Sequence, residues 1–182
     1  MIEIRIHGRG GQGAVIASKV LATAVFLEGR FVQSFPSFGV ERRGAPVTAY
    51  TRIDDSPIRL RCQIYEPDHL IILDPTLIQA IDVTVGLKPG GWIVVNTSRP
   101  AQTLALPQRF RVATVDAGAI AARHRLGPAS APIVNTAILG AFARVTGLVG
   151  IEALRGAVRD VVPVKKEANV AALEEAYDEV RS

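Results

Sequence analysis

The chain has 182 residues, is 48% hydrophobic and 21% charged, and contains a single cysteine, Cys62. That length and apolar content suit one soluble domain spanning residues 1–182, folded without disulfides. One thiol excludes an intramolecular disulfide, and an iron–sulfur cluster or Cys-built zinc site held by this chain alone. The net charge is +4, with 16 cations against 10 anions up to Gly150 and 5 against 7 beyond it, so the first 150 residues favour an anionic ligand or partner. No apolar run approaches the roughly 20 residues that cross a bilayer, and no aromatic-interleaved basic run points to nucleic acid. A cytoplasmic protein with neither membrane nor nucleic-acid partner is expected.

Ile2, Ile4 and Ile6 alternate with polar residues as a strand does. Gly8-Arg9-Gly10-Gly11-Gln12-Gly13 then breaks the pattern, and residues 14–27 resume at helical spacing until Gly29. Residues 31–35 read as a second strand, followed by a long loop, 36–46, rich in Gly, Pro and Arg. Residues 47–53 and 58–62 flank the turn signal Asp54-Asp55-Ser56-Pro57 and predict an antiparallel hairpin. The apolar run 69–73 predicts a buried parallel strand, with a helix from Pro75 to about Val85. Strands over 92–95 and 109–115 follow, and Asp116 is placed to cap a helix reaching Arg125. Residues 133–148, 152–158 and 166–180 are helical by periodicity. The expected fold is α/β: a doubly wound, mostly parallel sheet with an antiparallel hairpin insertion and a helical C-terminal end.

The glycine loop satisfies G-x-G-x-x-G between a strand and a helix, where free backbone N–H groups and the helix dipole favour a phosphate. The dinucleotide version also requires an acid closing the second strand, and residues 31–38 contain none. It is not a Walker A loop either, since no Gly-Lys-Ser or Gly-Lys-Thr follows. Lys19, six residues beyond Gly13, is within reach of such a phosphate, and Arg42 and Arg43 beside Gly44 form a second cationic candidate. Each of these also reads as ordinary solvated surface, and Phe35 and Phe38 as either core or interface. His7, His69 and His124 pair with no nucleophile in a recognised motif, so they are expected to be mostly structural, with His7 alone beside the loop. Cys62 is expected to pack rather than react. Nothing here makes a self-sufficient catalyst.

Taken together, Ile6-His7-Gly8-Arg9-Gly10-Gly11-Gln12-Gly13, Phe38-Gly39-Val40-Glu41-Arg42-Arg43-Gly44-Ala45-Pro46, Asp74-Pro75-Thr76-Leu77 and Asn135-Thr136-Ala137-Ile138-Leu139-Gly140-Ala141 resemble the gamma subunit of pyruvate (2-oxoacid):ferredoxin oxidoreductases. The resemblance covers most of the chain and favours the pyruvate and 2-oxoisovalerate type. It implies a multisubunit enzyme that oxidatively decarboxylates a 2-oxoacid, most simply pyruvate, to an acyl-CoA. Thiamine diphosphate, magnesium and 4Fe-4S clusters would lie in alpha, beta and delta (or fused) partner subunits, with ferredoxin as acceptor. In the fused single-chain relatives the equivalent domain helps form the coenzyme A site. By that likeness Gly10, Gly11, Gln12, Gly13 and Lys19 match its first loop, and Arg42, Arg43 and Gly44 its second. Two other readings stay open at this point: a stand-alone NAD- or flavin-nucleotide-binding protein, and a purely structural scaffold subunit.

Overall fold

The computed structural model describes residues 1–37, 44–128 and 130–182. Alternation in the first residues builds strand β1 (Ile2–Arg9), whose Ile4 and Ile6 enter one core while Arg5 and His7 point to the other face of the sheet. The glycine loop leads into α1 (Ala14–Leu27), and β2 (Phe31–Pro36) and β3 (Pro46–Asp54) follow. Next come β4 (His69–Ile72), the single turn α2 (Leu77–Ala80), β5 (Trp92–Asn96) and β6 (Arg111–Val115). The C-terminal part is helical: α3 (Ala117–Arg123), α4 (Ala137–Thr146), α5 (Ile151–Val161) and α6 (Lys166–Glu179).

The six strands form one sheet in the order β2-β3-β1-β4-β5-β6. β1, β4, β5 and β6 pair in parallel, with Ile6 opposite Ile71 and Leu70 opposite Ile93, while β3 runs antiparallel to both β1 and β2. β4 and β5 are continuous apolar runs because both their faces are covered. Ile71 and Val94 enter the larger core beneath α1, α3, α4, α5 and α6, whereas Leu70, Ile72, Ile93 and Val95 join Leu77, Val83, Leu87 and Phe110 on the opposite face. The α/β architecture and helical C-terminal end agree with the sequence reading, the two helical layers being very unequal. Asp116 caps α3 as expected, its Oδ1 accepting from the Ala119 amide at 2.9 Å.

Three local expectations are corrected. The antiparallel hairpin is made by β2 and β3, not by residues 47–53 with 58–62. Both edges of β3 are already taken by β1 and β2, so residues 58–62 form no strand. They are tethered instead through Gln33 Nε2 to the Leu60 carbonyl at 2.9 Å and Arg52 Nη2 to the Gln63 carbonyl at 3.3 Å. The helix expected to reach Val85 stops at Ala80, because Ile81 is extended and Asp82 Oδ1 accepts from the Thr84 amide and hydroxyl in a local turn. α4 begins at Ala137 rather than near Ile133, since Asn135 and Thr136 bond away from the helix, to the Gly13 carbonyl and to Asn169 Oδ1.

At the β6 edge of the sheet, Thr114 exchanges backbone hydrogen bonds with Arg181 at 2.8 and 2.9 Å, so the chain's own tail covers part of that edge. Among the described residues no helix is long and apolar enough to cross a membrane.

Candidate functional site

Neighbouring strands β1 and β4 continue to opposite sides of the sheet, β1 toward β2 and β4 toward β5, which makes their carboxyl ends the topological switch point where α/β sheets bind ligands. The 8–13 loop stands there. A cleft of about 310 Å³ opens beside it, lined by Gly11, Gln12, Asp74, Asn96, Pro132 and Val134 among others.

Gly11 (φ 98°) and Gly13 (φ 80°) take the left-handed backbone that the tight turn requires. Gly13 is required a second time, because a Cβ there would lie 2.3 Å from Asn135 Nδ2, which itself donates to the Gly13 carbonyl at 3.3 Å. This contact draws the start of α4 against the start of α1. Neither helix has a side-chain cap or an acidic residue in its first turn, so neither compensates its own positive end.

Not all of the loop's amides are available. Gly10 N–H donates to the Ala45 carbonyl and Gln12 N–H to the Arg9 carbonyl, each at 2.9 Å. The amides of Gly11 and Gly13 have no such partner among the described residues. The Gln12 side chain is engaged too, accepting from the Arg9 amide at 2.8 Å and donating to Asp74 Oδ2 at 3.2 Å. Gly44 meets the loop directly through its amide, 3.1 Å from the Gly10 carbonyl.

Gly10, Gly11, Gln12, Gly13 and Gly44 are therefore together, as the sequence suggested. Lys19 is exposed on α1 on the same side as Val15 and Ile16, with no hydrogen bond or ion pair to the loop among the described residues. Arg42 and Arg43, like Phe38, lie outside the described residues.

Sequence reasoning missed Arg9 and Asp74. Arg9 Nε donates to Asp74 Oδ2 at 2.9 Å, Nη1 to the Gly44 carbonyl at 3.1 Å and Nη2 to Thr76 Oγ1 at 2.8 Å. Burial raises the pKa of Asp74, but the Thr76 hydroxyl and amide, the Gln12 amide group and the Arg9 charge outweigh it and hold the carboxyl below its usual range. It is an anchored anion rather than a base. Asn96, at the end of β5, donates to the Leu73 carbonyl at 2.9 Å and steadies the cleft's far wall.

The histidines are structural. His7, expected beside the ligand, is only 5% exposed and turned to the sheet face opposite α1, where Arg5 Nε donates to its Nε2 at 3.1 Å. Burial, then the Arg5 charge, pushes its pKa down to about 3, so it stays neutral and offers no proton. His69 Nδ1 accepts from the Trp92 amide, and His124 pairs with Glu175 on the helical layer. Cys62, expected to pack, is exposed, with its Sγ 3.6 Å from Arg52 Nη2.

A profile of the pyruvate ferredoxin/flavodoxin oxidoreductase family matches residues 3–179. The chain is 53% identical over 182 residues to the pyruvate/ketoisovalerate oxidoreductases common subunit gamma of Pyrococcus furiosus, covering 98% of this chain and 96% of that one. It is 52% identical over 181 residues to pyruvate synthase subunit PorC of Methanocaldococcus jannaschii, covering 99% and 97%. The crystal structure of pyruvate oxidoreductase subunit PORC from Thermotoga maritima superposes with a TM-score of 0.84 at 36% identity, covering 99% and 97% of the two chains.

Proposed function

The chain belongs to the pyruvate ferredoxin/flavodoxin oxidoreductase family and is a gamma subunit of such an enzyme, and we propose that in the assembled enzyme its 8–13 loop and the adjoining start of β3 hold the phosphates of coenzyme A. The observation carrying this reading is the pair of amides, Gly11 and Gly13, that have no partner among the described residues, at the foot of α1 beside the switch-point cleft. Coenzyme A presents a pyrophosphate and a 3′-phosphate, and a helix start offers about half a positive charge with N–H groups already oriented. Space supports it as well: no described residue lies within 4 Å of where a Gly11 Cβ would be, which leaves room for a phosphate oxygen beside the backbone. The nearby Asp74 carboxylate is neutralised by Arg9 and does not repel it. Lys19, Arg42, Arg43 and Gly44 complete the proposed set.

In this proposal one domain, residues 1–182, works in the cytoplasm with alpha, beta and delta partners, and ferredoxin accepts the electrons. The substrate is pyruvate or a related 2-oxoacid. Thiamine diphosphate with magnesium supplies the decarboxylation chemistry, and 4Fe-4S clusters the electron exit, in those partners. Among the described residues of this chain no three His, Cys, Asp or Glu side chains gather as a metal site needs. Its own contribution is to bind and orient the thiol co-substrate.

Replacing Gly11 with Ala puts a methyl group where the phosphate approaches and strains a left-handed residue. In the assembled enzyme the KM for coenzyme A rises about tenfold while the KM for the 2-oxoacid is unchanged, the pattern of a lost binding contact. Viologen-dye reduction titrated with each substrate measures both. An Arg42→Ala, Arg43→Ala double variant shifts the same constant in the same direction. Unchanged coenzyme A KM in both variants contradicts the proposal and leaves the subunit as a scaffold.

A further inference from the structure

Three chain segments meet at the carboxyl end of β1: the 8–13 loop, the entry to β3 at Gly44 and Ala45, and the turn after β4 at Asp74 to Thr76. The first two continue the β1–β3 ladder beyond its last pairs, Gly8 with Val47 and Arg9 with Pro46, by one hydrogen bond in each direction between Gly10 and the Gly44-Ala45 pair. Gly44 is exposed and left-handed (φ 82°), and no described residue lies within 4 Å of its missing Cβ. Such a ladder end, closed by an exposed glycine, is where pairing frays first.

Arg9 reaches all three segments at once. Its three guanidinium nitrogens go to Asp74, Gly44 and Thr76, and its amide is held by Gln12 Oε1. Asp74 in turn takes four donors, from Arg9, Gln12 and the Thr76 amide and hydroxyl, so the anchor itself is fixed. One N–H of each guanidinium nitrogen, three of the five, is committed to these contacts, which fixes the plane of the fork.

We infer that Arg9 is a positioning residue that sets the spacing between the 8–13 loop and Gly44, so that these two parts of the proposed coenzyme A site stand preassembled. This rests on the coenzyme A reading above. A planar guanidinium serves three acceptors in fixed directions, which a lysine ammonium on a flexible stem does not reproduce. Binding to a preassembled site avoids ordering the two segments on each encounter, so losing the fork weakens affinity without touching the chemical step.

The test is Arg9→Lys in the assembled enzyme, which keeps the charge and the ion pair with Asp74. Hydrogen–deuterium exchange at the Gly10 and Gly44 amides accelerates about tenfold. The coenzyme A KM rises about tenfold, with kcat within about twofold and the 2-oxoacid KM unchanged. Unchanged exchange at those two amides overturns the inference. Faster exchange with an unchanged coenzyme A KM also overturns it, provided Gly11→Ala does raise that KM. Unchanged KM in both variants removes the coenzyme A reading itself, and the inference with it.

Discussion

Arg52→Met lowers the thermal midpoint of the subunit by about 10 °C, corresponding to about 3–5 kcal/mol at roughly 2–4 °C per kcal/mol for a chain of this size. Arg52 has a 1% exposed side chain and is paired with Glu3 Oε1 at 2.8 Å. It also donates to Gln33 Oε1 at 3.0 Å and to the Gln63 carbonyl, and lies 5.2 Å from the Phe35 ring centroid. Methionine fills the volume but leaves the Glu3 carboxylate, 14% exposed, without its cation. The penalty comes from that stranded charge, so adding Glu3→Gln to Arg52→Met recovers part of the loss. A single-variant shift no larger than that of a surface substitution would show that the pair is solvated in solution. Because Arg52 also holds Cys62 and Gln63, the variant increases proteolytic cleavage in that stretch.

Gly140→Ala is expected to cost about 3 kcal/mol or more, against the ordinary gain of up to about 1 kcal/mol when Ala replaces Gly inside a helix. The added Cβ would lie 1.9 Å from the Leu173 carbonyl oxygen and 3.1 Å from the Tyr177 amide nitrogen, both backbone atoms of α6. Backbone cannot rotate aside, so α4 and α6 have to separate along their shared buried face. Gly156→Ala gives the opposite sign. There the Cβ meets only Leu27 Cδ1 at 3.3 Å, a side-chain end that can shift, and the helix-propensity gain decides the outcome. Denaturant melts of the two variants check the contrast; equal effects would mean the α4–α6 approach is looser than described.

Where one stretch of chain determines its own structure, the sequence was readable. The alternation of Ile2, Ile4 and Ile6, the glycines after it and the helical spacing beyond place β1, the loop and α1, and the apolar runs of β4 and β5 announce strands covered on both faces. Residues 58–62 mislead because their suitability for a strand is local, whereas the edges of β3 are allocated by β1 and β2, elements distant in sequence. The same limit governs the site. A G-x-G-x-x-G template treats Arg9 as a free position, and what gives Arg9 its role is acceptors 35 to 67 residues away. Gly13 is similar: the turn explains its φ, but its need to clear Asn135, 122 residues on, belongs to the packing of α4 beside α1. His7 shows the converse error, since adjacency to the loop in sequence says nothing of the strand face to which its ring turns.

The central claim, that this subunit's 8–13 loop holds coenzyme A, is tested most directly by photolabelling. Coenzyme A carrying an azide on its adenine, next to the phosphates, is irradiated with the assembled enzyme, and the labelled peptides are mapped by mass spectrometry. The account predicts label on this chain, in the peptides containing residues 8–19 or 130–135, suppressed by unmodified coenzyme A and reduced in the Gly11→Ala enzyme. Label confined to the partner subunits, with the same suppression by unmodified coenzyme A, would contradict it.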